Sequence, residues 1–564
     1  MNAEERAKRL ARLTNGALNQ SLPTDTQSTL PASRSSLKRK RSSEANIIEH
    51  VMNSKLDYEV IDLTTDSDSE RTTDGEKEDT DLGPVSTKTT ARLPVSLQET
   101  VSSKFSARVA PVSPKPADPT LRFDKGQVLL TTAPNRPLPG HISIDEIFQR
   151  RSLKTAVLSS FSTDTAWLAS KLDIGRTEVV LCMHAHEQEH DRHLMDCRRL
   201  PKFSLVFPSL KGGISCMHSK LQLLFYDTYL RIAVPTANLV SFDWGEELSE
   251  YGPGYLDNNV FVLDLPFRQV HHSGELLKTF EKRGHVTSKS LHHTVKVHHD
   301  IPFLLNLILY VLRAGYPDRI LTQLLSHDFS GARGFDFVAT IGGYHYGEAI
   351  HDSGRLALAR AVKRAEYPTV QQPRITALAS SLGSLDWRFV NTLAQAMMGQ
   401  SLSGKEAVSP HSIDQIAATF RIAFPTMQAV HQASAGAGVI FFARKCIGEK
   451  KAKKQQSDHF PEPCLYEYHP KKAGVLSHTK AIVCEDLDRP GQGLAYLGSA
   501  NLSASAWGDK VTLDTKTKQE KIFHRNWETG VLLPANMVTQ RIPIDLSRPF
   551  KVNKDPWATP SRQW

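Results

Sequence analysis

Two stretches of the sequence, 263 positions apart, share one pattern. Residues 236–245 read TANLVSFDWG and residues 499–508 read SANLSASAWG, so both contain Ala-Asn-Leu, then four residues, then Trp-Gly. A His-x-Lys precedes each Asn by twenty residues or slightly more: His218 and Lys220 before Asn238, and His478 and Lys480 before Asn501. A chain that repeats a pattern in this way is expected to contain two similar halves.

The repeated residue types indicate a shared chemistry. A His and a Lys two positions apart on a strand point to the same face, and a returning hairpin would bring the Asn beside them. A Lys on the inner face of an apolar strand is costly unless its charge meets an anion. Two copies therefore predict one site between the halves for a phosphoryl group, which needs positive donors, a nucleophile and a proton donor. The alternative is a structural repeat of satisfied polar residues.

Apolar runs of strand length alternate with helical stretches beyond residue 120. The strands are predicted at 155–160, 178–183 and 259–265, and this rhythm recurs after residue 328 with strands at 335–342, 480–486 and 530–534 and a helix at 353–365. We therefore expect an α/β fold of two α/β/α halves, residues 121–327 and 328–564. Trp244 and Trp507 are interpreted as core packing beneath the repeated turns.

A membrane location is not expected. The longest apolar run, at 301–312, contains Asn306 and is too short to cross a bilayer, so it predicts a buried helix. The N-terminal residues MNAEERAKRLARL lack the apolar core of a secretory signal. Six cysteines without a regular framework fit reduced thiols in an intracellular, soluble protein.

Residues 1–120 have a different composition from the rest. They hold two aromatic residues, Tyr58 and Phe105, and 17 Lys and Arg against 18 Asp and Glu. Such a stretch cannot bury enough apolar surface to offset its conformational entropy, so a disordered tail is predicted. Because the whole chain carries +9, the remainder is near +10, which suits a polyanion such as nucleic acid.

The tail contains two candidate interaction motifs. The basic run SSLKRKR at 35–41 is typical of a nuclear import signal, and a solvated charge cluster is the alternative. In YEVIDLTTDSDSE, residues 58–70, Val60, Ile61 and Leu63 precede an acidic, serine-rich run. A short β-branched segment can add as a strand to a partner's sheet, so the pattern resembles SUMO-interacting motifs. A chance apolar island is the alternative.

One further cluster raises the question of zinc. Six potential ligands lie within sixteen residues: Cys182, His184, His186, His190, His193 and Cys197. Their spacing matches no familiar zinc finger, and the segment leads towards the first His-x-Lys. We therefore predict a polar, His-rich loop or helix near the substrate channel rather than a metal site.

The repeated motifs resemble the phospholipase D superfamily, whose signature is H-x-K-x4-D. The position five after Lys220 is Phe225 and the position five after Lys480 is Glu485, so the Asp is absent from both copies. This loss, together with the paired HSK…TANL and HTK…SANLSASAWG, is similar to the tyrosyl-DNA phosphodiesterase family. The resemblance covers roughly residues 121–564 and implies the fold of two phospholipase D-like halves related by a pseudo-twofold axis.

The resemblance implies a mechanism and a place of action. His218 would attack a 3′-phosphodiester and form a covalent phosphohistidine, and His478 would protonate the leaving tyrosine oxygen and later activate water. The lysines and asparagines of both motifs would hold the phosphoryl oxygens, so no metal or other cofactor is expected. The implied substrate is DNA with a 3′-phosphotyrosyl peptide, bound in a groove for single-stranded DNA by a nuclear monomer.

Further positions follow the resemblance less closely. Glu528 stands where the family places an acidic residue that hydrogen-bonds an active-site imidazole, and Ser381, Ser384 and Ser503 are candidate contacts for the DNA backbone. Ile214 and Ser249 depart from the family pattern, where an aromatic residue and a glutamine are expected. Two other functions remain open: a phospholipase D-type phospholipase or nuclease, and a non-catalytic scaffold that binds DNA or SUMO.

Overall fold

The computed structural model describes most of the chain beyond residue 120. The described residues are 121–198, 200, 202–210, 215–246, 254–268, 301–365, 367, 370–400, 410–434, 440–442 and 460–545. The predicted tail, with its basic run and with Val60, Ile61 and Leu63, lies outside these residues. Ile214 and Ser249 lie outside them as well.

The first half is built around one sheet. Its elements are β1 (Gln127–Thr131), β2 (His141–Ile142), α1 (Ile144–Phe148), β3 (Thr155–Ser159), α2 (Thr165–Lys171), β4 (Glu178–Cys182), α3 (His190–Cys197), β5 (Phe203–Val206), β6 (Cys216–Met217), β7 (Leu221–Phe225), β8 (Tyr229–Pro235) and β9 (Asn259–Pro266). The strand order is β2-β1-β9-β8-β7-β3-β4-β5. Every residue of β3, β7 and β8 is buried, which explains why these strands are continuous apolar runs in the sequence.

The second half has its own sheet. Its elements are α4 (Pro302–Ala314), α5 (Asp318–Leu325), β10 (Asp336–Thr340), β11 (Gly343–Tyr346), α6 (Gly354–Arg364), β12 (Pro373–Leu378), β13 (Ser381–Leu382), α7 (Trp387–Met397), α8 (Pro410–Thr419), β14 (Phe420–Phe424), α9 (Met427–Gln432), β15 (Phe441–Phe442), β16 (Leu465–Glu467), β17 (His469–Pro470), β18 (Ala481–Asp486), β19 (Gly493–Gly498), α10 (Ala504–Trp507), β20 (Thr512–Leu513), β21 (Glu520–His524), β22 (Asn526–Pro534), α11 (Ala535–Thr539) and β23 (Ile544–Asp545). The main strand order is β10-β22-β19-β18-β12-β14-β16.

The two sheets have the same topology. In the first, β7 pairs antiparallel with β3, and β4 and β5 continue the sheet in parallel. In the second, β18 pairs antiparallel with β12, and β14 and β16 continue it in parallel. On the other side, β8, β9 and β1 correspond in order and direction to β19, β22 and β10. The predicted α/β fold of two similar halves is confirmed in this strand order.

One hydrophobic cluster contains residues of both sheets, among them Ile232 and Phe261 from the first and Leu497 and Val531 from the second. Helix α4 belongs to this cluster, so the buried helix predicted at 301–312 is confirmed. Asn306 interrupts the apolar run because its amide Nδ2 donates to Asp336 Oδ1 (2.7 Å) at the start of β10. Among the described helices, none is long and apolar enough to span a bilayer.

Candidate active site at the seam of the two sheets

The first His-x-Lys lies where the chain enters the first sheet. His218 and Lys220 fall in the bend between β6 and β7, and Asn238 follows β8, the strand that returns beside β7. The predicted hairpin is therefore present, although the His and Lys precede the strand rather than lying in it. All three side chains are buried, with 5%, 0% and 8% of their surfaces exposed.

The second His-x-Lys repeats this arrangement. His478 and Lys480 precede β18, and Asn501 follows β19, its antiparallel neighbour. The lysines of both sets also make the same bond: Lys220 Nζ donates to the His218 carbonyl oxygen (3.0 Å) and Lys480 Nζ to the His478 carbonyl oxygen (2.7 Å). The side chains of the trio are thus set in one local geometry twice.

Each His-x-Lys is held by a strand of the opposite half. β6 pairs in parallel with the start of β22, and the His218 amide donates to the Trp527 carbonyl (3.0 Å). Reciprocally, Ser477 bridges to Asp257 just before β9, and the His478 amide donates to the Asp257 carbonyl (2.8 Å).

The residue between His and Lys in each motif also contacts the opposite half. The Ser219 and Thr529 hydroxyls are 3.0 Å apart, and the Thr479 hydroxyl donates to Asn259 Oδ1 (2.8 Å). Because each half orders the other's motif, both trios lie at the seam.

Electrostatic coupling shows that the two sets form one cluster. Burial lowers the pKa of His478 to about 4, with Lys480 and Lys220 contributing, while Asp243 opposes the shift. Burial also lowers the pKa of His218, and Lys220 and Lys480 lower it further. Each imidazole thus experiences the ammonium group of the other half. Both imidazoles are unprotonated near neutral pH.

The two ammonium groups are poorly compensated. Burial lowers the pKa of Lys220 to about 8, although Glu528 and Asp243 oppose it. Burial and the charge of Lys220 together hold the pKa of Lys480 well below its usual range. An anion between the lysines would stabilise their charged forms, so the pocket is suited to a phosphoryl group.

Glu528 acts on the imidazole of the other half. It lies on β22 and its Oε2 is 2.9 Å from His218 Nδ1. Burial alone would raise the pKa of this carboxyl, but His218, Lys220 and the Ser499 hydroxyl outweigh burial and lower it. The anionic carboxylate favours the proton of a neutral His218 on Nδ1, which leaves Nε2 as the basic nitrogen.

Asp243 is a functional candidate that sequence reasoning missed. It is fully buried, its Oδ2 accepts from the backbone N–H of Asn238 (2.6 Å), and its Oδ1 is 3.3 Å from His478 Nδ1. This last contact has the distance of an ion pair but not the geometry of a hydrogen bond, since His478 Nδ1 has no hydrogen-bond partner among the described residues. The available signal was the Asp before Trp-Gly in one copy only.

The halves also differ at the position of Glu528. The Ser499 hydroxyl donates to Glu528, and the equivalent Thr236 hydroxyl donates to Asn258 Oδ1 (2.8 Å). Asn258 thus stands where the second half has Glu528. Its amide Nδ2 donates to Asp243 (3.2 Å to Oδ1), so in the first half a neutral amide supports the carboxylate that faces His478.

Of the predicted serines, Ser381 lies beside Asn501. Asn501 Oδ1 accepts from the Ser381 amide (3.2 Å), and Gly383 N donates to the carbonyl next to Asn501, that of Leu502 (2.8 Å). Ser503 caps α10 by accepting from the Ala506 amide, and Ser384 is exposed on the same loop as Ser381. Ser381 therefore contacts Asn501, and Ser503 has a structural role at the start of α10.

The equivalent loop of the first half carries an aromatic residue that sequence reasoning also missed. Leu239, next to Asn238, donates its amide to the Ser160 hydroxyl (3.0 Å), and its carbonyl accepts from the Asp164 amide (2.9 Å). Between these anchors Phe161 is 38% exposed, with its ring 5.1 Å from that of His218. Phe161 belongs to neither copy of the repeated phrase, so no pattern in the sequence pointed to it.

The His-rich segment forms part of a loop and helix α3, as predicted. His190 stacks on Phe207 at 4.0 Å, and His184 Nδ1 accepts from the Met217 amide (3.4 Å), one residue before the first motif. Cys182 is buried in β4, and burial raises the pKa of its thiol to about 12. In the part of the chain that the structure describes, no group of three or more His, Cys, Asp and Glu side chains is arranged to hold a metal ion.

The tryptophans of the repeated phrase pack in the core, as predicted. Trp244 is fully buried, and its indole donates to the Asn238 carbonyl (2.8 Å). Trp507 is equally buried and packs edge-on against Tyr496 at 4.8 Å between ring centroids. Each indole thus supports the turn that presents an active-site Asn.

The sequence matches a known protein family. The profile of the family described as tyrosyl-DNA phosphodiesterase matches residues 128–560. The chain belongs to the tyrosyl-DNA phosphodiesterase family. A curated relative, tyrosyl-DNA phosphodiesterase 1 of Arabidopsis thaliana, is 22% identical over 420 residues. That match covers 71% of this chain and 60% of the Arabidopsis protein, so it spans less than two thirds of that member of the family.

Solved structures of the family share the fold. The yeast tyrosyl-DNA phosphodiesterase superposes with a TM-score of 0.53 at 15% identity, covering 77% of this chain and 99% of the yeast chain. Two variants of the yeast protein match at the same identity and the same share of this chain, with TM-scores of 0.53 and 0.51, over 100% and 99% of their chains. The chain thus has the mixed α/β fold of this family.

Proposed function

We propose that this protein is a DNA-repair phosphodiesterase that hydrolyses 3′-phosphotyrosyl and other 3′-blocking adducts. The observation that carries the proposal is the seam cluster: two imidazoles and two buried ammonium groups from two halves, with one carboxylate facing each imidazole. Such a cluster supplies a nucleophile, a proton donor and charge for a transferring phosphoryl group. Family membership supports DNA as the substrate.

In the first step, His218 Nε2 attacks the phosphorus. A P–N bond forms, the bond from phosphorus to the tyrosine oxygen breaks, and His478 donates a proton to that oxygen. Glu528 stabilises the positive charge that develops on the His218 ring. Lys220, Lys480, Asn238 and Asn501 hold the non-bridging oxygens, and Ser381, Ser384 and Ser503 contact the DNA backbone.

In the second step, water completes the hydrolysis. His478, now unprotonated, takes a proton from water as the water oxygen bonds to phosphorus and the P–N bond breaks. The products are a DNA 3′-phosphate and the free enzyme. Because the phosphoryl anion occupies the site in both steps, its charge raises the pKa of His478 above the value of about 4 in the empty site, which lets the ring donate a proton in the first step and accept one in the second.

A single substitution tests this division of roles. His478→Ala should still permit attack but slow hydrolysis, so that a covalent protein–DNA adduct accumulates and is detected by denaturing gel electrophoresis. His186→Ala, which removes an exposed imidazole, is the matched control and should behave as wild type. An unaltered reaction course in the His478→Ala protein would remove His478 from its proposed role.

The main rival is a phospholipase D-type phospholipase or nuclease. We expect release of tyrosine from a 3′-phosphotyrosyl oligonucleotide in the presence of EDTA, because fixed ammonium groups supply the charge that metal ions supply in two-metal nucleases. We expect no turnover of phosphatidylcholine. The reverse result would favour the rival, and a protein that binds DNA without turnover would be the scaffold of the third hypothesis.

We further propose a nuclear protein with a regulatory tail of residues 1–120 and two halves, 121–327 and 328–564, that act as a monomer. The monomer is supported by the seam, since one chain supplies both trios. In the tail, replacing Val60, Ile61 and Leu63 by Ala should abolish SUMO binding in a pull-down and leave cleavage unchanged. Unchanged capture of SUMO would refute that motif.

A further inference from the structure

A small sheet of the second half has an aromatic outer face. Its strand order is β11-β21-β20. Tyr344 lies directly opposite Phe523, and Tyr346 lies opposite Lys521. Tyr344 and Tyr346 are 57% and 41% exposed, although sheet faces in contact with water ordinarily carry polar side chains.

The inner face of this sheet is already occupied. His345, Ile522 and His524 alternate with the outer residues and are all buried. Ile522 packs in a cluster with Ile350, Leu356 and Val511. The aromatic side chains on the outer face therefore do not belong to the core that holds the sheet in place.

Cations and rings are interleaved on the outer face. The Tyr344 and Phe523 rings are 4.6 Å apart, Lys521 Nζ lies 5.9 Å from the Tyr344 ring centre, and the Arg525 guanidinium lies 5.9 Å from that of Phe523. We call this surface, formed by Tyr344, Tyr346, Lys521, Phe523 and Arg525, the aromatic face. Rings and cations side by side on a sheet are the means by which proteins bind unpaired nucleotides.

The local charge is positive in spite of two ion pairs. Lys521 pairs with Asp514 (3.3 Å) and Arg525 with Asp509 (2.7 Å). Residues 509–525 nevertheless contain five Lys and Arg against three Asp and Glu. A single-stranded nucleic acid complements both features, since its phosphates are negative and its bases stack on rings. An acidic protein surface would complement the cations alone, and an apolar protein surface would complement the rings alone.

The strand that carries part of the aromatic face leads directly into the strand that carries Glu528. β21 leads through Arg525 into β22, which carries Glu528, and the Arg525 carbonyl accepts from the Cys216 amide (3.1 Å) two residues before His218. Phe523 and Glu528 are five positions apart, so their Cα atoms are separated by at most about 16 Å of extended chain. A strand whose end lies in the pocket can reach the face with a few unpaired nucleotides.

We propose that the aromatic face binds unpaired nucleotides of the DNA strand whose 3′ end lies between the two trios. This inference rests on the proposed function for its choice of ligand. Tyr344, Tyr346 and Phe523 stack on bases, and Lys521 and Arg525 contact the backbone between them. The face makes affinity depend on strand length and leaves the chemistry at phosphorus unchanged.

The test measures binding of single strands of about 2 and about 16 nucleotides by fluorescence anisotropy, each carrying a 3′-phosphate that anchors its end between the two trios; at about 3.4 Å per nucleotide the shorter strand cannot reach the face. The double substitution Tyr344→Ala/Tyr346→Ala should weaken binding of the longer strand about tenfold or more and leave the shorter one unchanged, because each stacked base contributes ~1–3 kcal/mol. Tyr344→Phe/Tyr346→Phe should retain wild-type affinity. Tyr367→Ala, an exposed tyrosine elsewhere, is the control.

Three outcomes would overturn the proposal. Unchanged affinity for the longer strand would exclude DNA as the occupant and leave a protein partner. Equal losses for both lengths would indicate damage to the pocket rather than loss of the face, and equal losses for a duplex would exclude recognition of unpaired bases. A wild-type protein that binds strands but releases no tyrosine from a 3′-phosphotyrosyl substrate would refute the proposed function alone, since the anisotropy assay needs no turnover.

Discussion

The carboxylates that face the two imidazoles differ in how they are held. Glu528 contacts His218 at hydrogen-bond distance, and it accepts hydrogen bonds from the Ser499 hydroxyl and from the side-chain Nδ2 of Asn526 (2.9 Å). Asp243 approaches His478 less closely, at 3.3 Å, while its other oxygen holds the turn that presents Asn238. In the proposed mechanism, Glu528 thus contacts the ring that becomes positively charged, whereas Asp243 contacts both a ring and a turn.

Substituting each carboxylate by its amide should separate the two chemical steps. We expect Glu528→Gln to slow the first step about a hundredfold or more in single-turnover kinetics, because the charge on His218 loses its partner. Asp243→Asn keeps an oxygen that accepts from the Asn238 backbone N–H, so the turn should be preserved. It removes the carboxylate that faces His478, so we expect the second step to become slower than the first and the covalent adduct to accumulate. Asp227→Asn, at an exposed carboxylate, is the control. Identical effects of the two substitutions on both steps would contradict this assignment.

At the scale of elements, the apolar strands were predictable and the polar ones were not. Expected strands at 155–160 and 178–183 match β3 and β4 to within one residue. β22 begins four residues before the predicted strand at 530–534, because Asn526 and Glu528 are polar and face the seam rather than a hydrophobic core. Strand order could not be predicted, since pairs such as β3 with β7 join residues about sixty positions apart.

The candidate site was predictable to the extent that it repeats. The six His, Lys and Asn residues could be identified because their pattern occurs twice. Asp243 and Phe161 occur in one half only, and they become candidates only because the fold places them beside His478 and His218. The partner of Glu528 was equally hidden. It depends on the pairing of β22 with β6, which brings together residues 310 positions apart.

Two glycines of the second sheet lie where a side chain would not fit. Gly498 on β19 lies directly opposite Gly530 on β22, and a Cβ on Gly530 would overlap the ring of Tyr496. Gly530→Ala should therefore destabilise the protein by about 1–3 kcal/mol, measured by urea denaturation, because the packed ring cannot move freely. Gly334→Ala, which has open space for a Cβ, should change stability by less than about 0.5 kcal/mol. Equal effects of the two would show that the ring is not confined.

At the scale of the whole molecule, buried neutral histidines link stability to pH. Burial lowers the pKa of seven described histidines: His141, His184, His218, His327, His345, His478 and His524. A histidine of the unfolded chain titrates near pH 6.5. Below that pH the unfolded chain binds protons that the folded chain does not, so the stability present above pH 6.5 is lost as the pH falls.

We therefore expect the free energy of unfolding to fall as the pH is lowered from about 6.5 to about 4. His478 alone, with a folded pKa of about 4, accounts for up to about 3 kcal/mol. Raised carboxyl pKa values at Asp257 and Asp336 partly offset the loss at the acidic end. Urea denaturation at a series of pH values measures the slope, which should be shallower for His478→Asn. Equal stability at pH 7 and pH 5 would contradict the burial of neutral rings.

The exchange of Asn258 for Glu528 at equivalent positions has a consequence for how a substrate enters. A pocket assembled from two copies of one plan would accept a phosphodiester in either direction, with either ring attacking. A carboxylate lies against His218 at this position, and a carboxamide stands at the equivalent position of the first half. The carboxylate that faces His478 comes from a different position, Asp243, and also holds the turn of Asn238, so the two rings are not equivalent. The cleft therefore has a direction that its two similar halves alone would not give it. For a strand bound backwards, the carboxylate beside the attacking ring would lie at 3.3 Å without the geometry of a hydrogen bond, instead of at 2.9 Å.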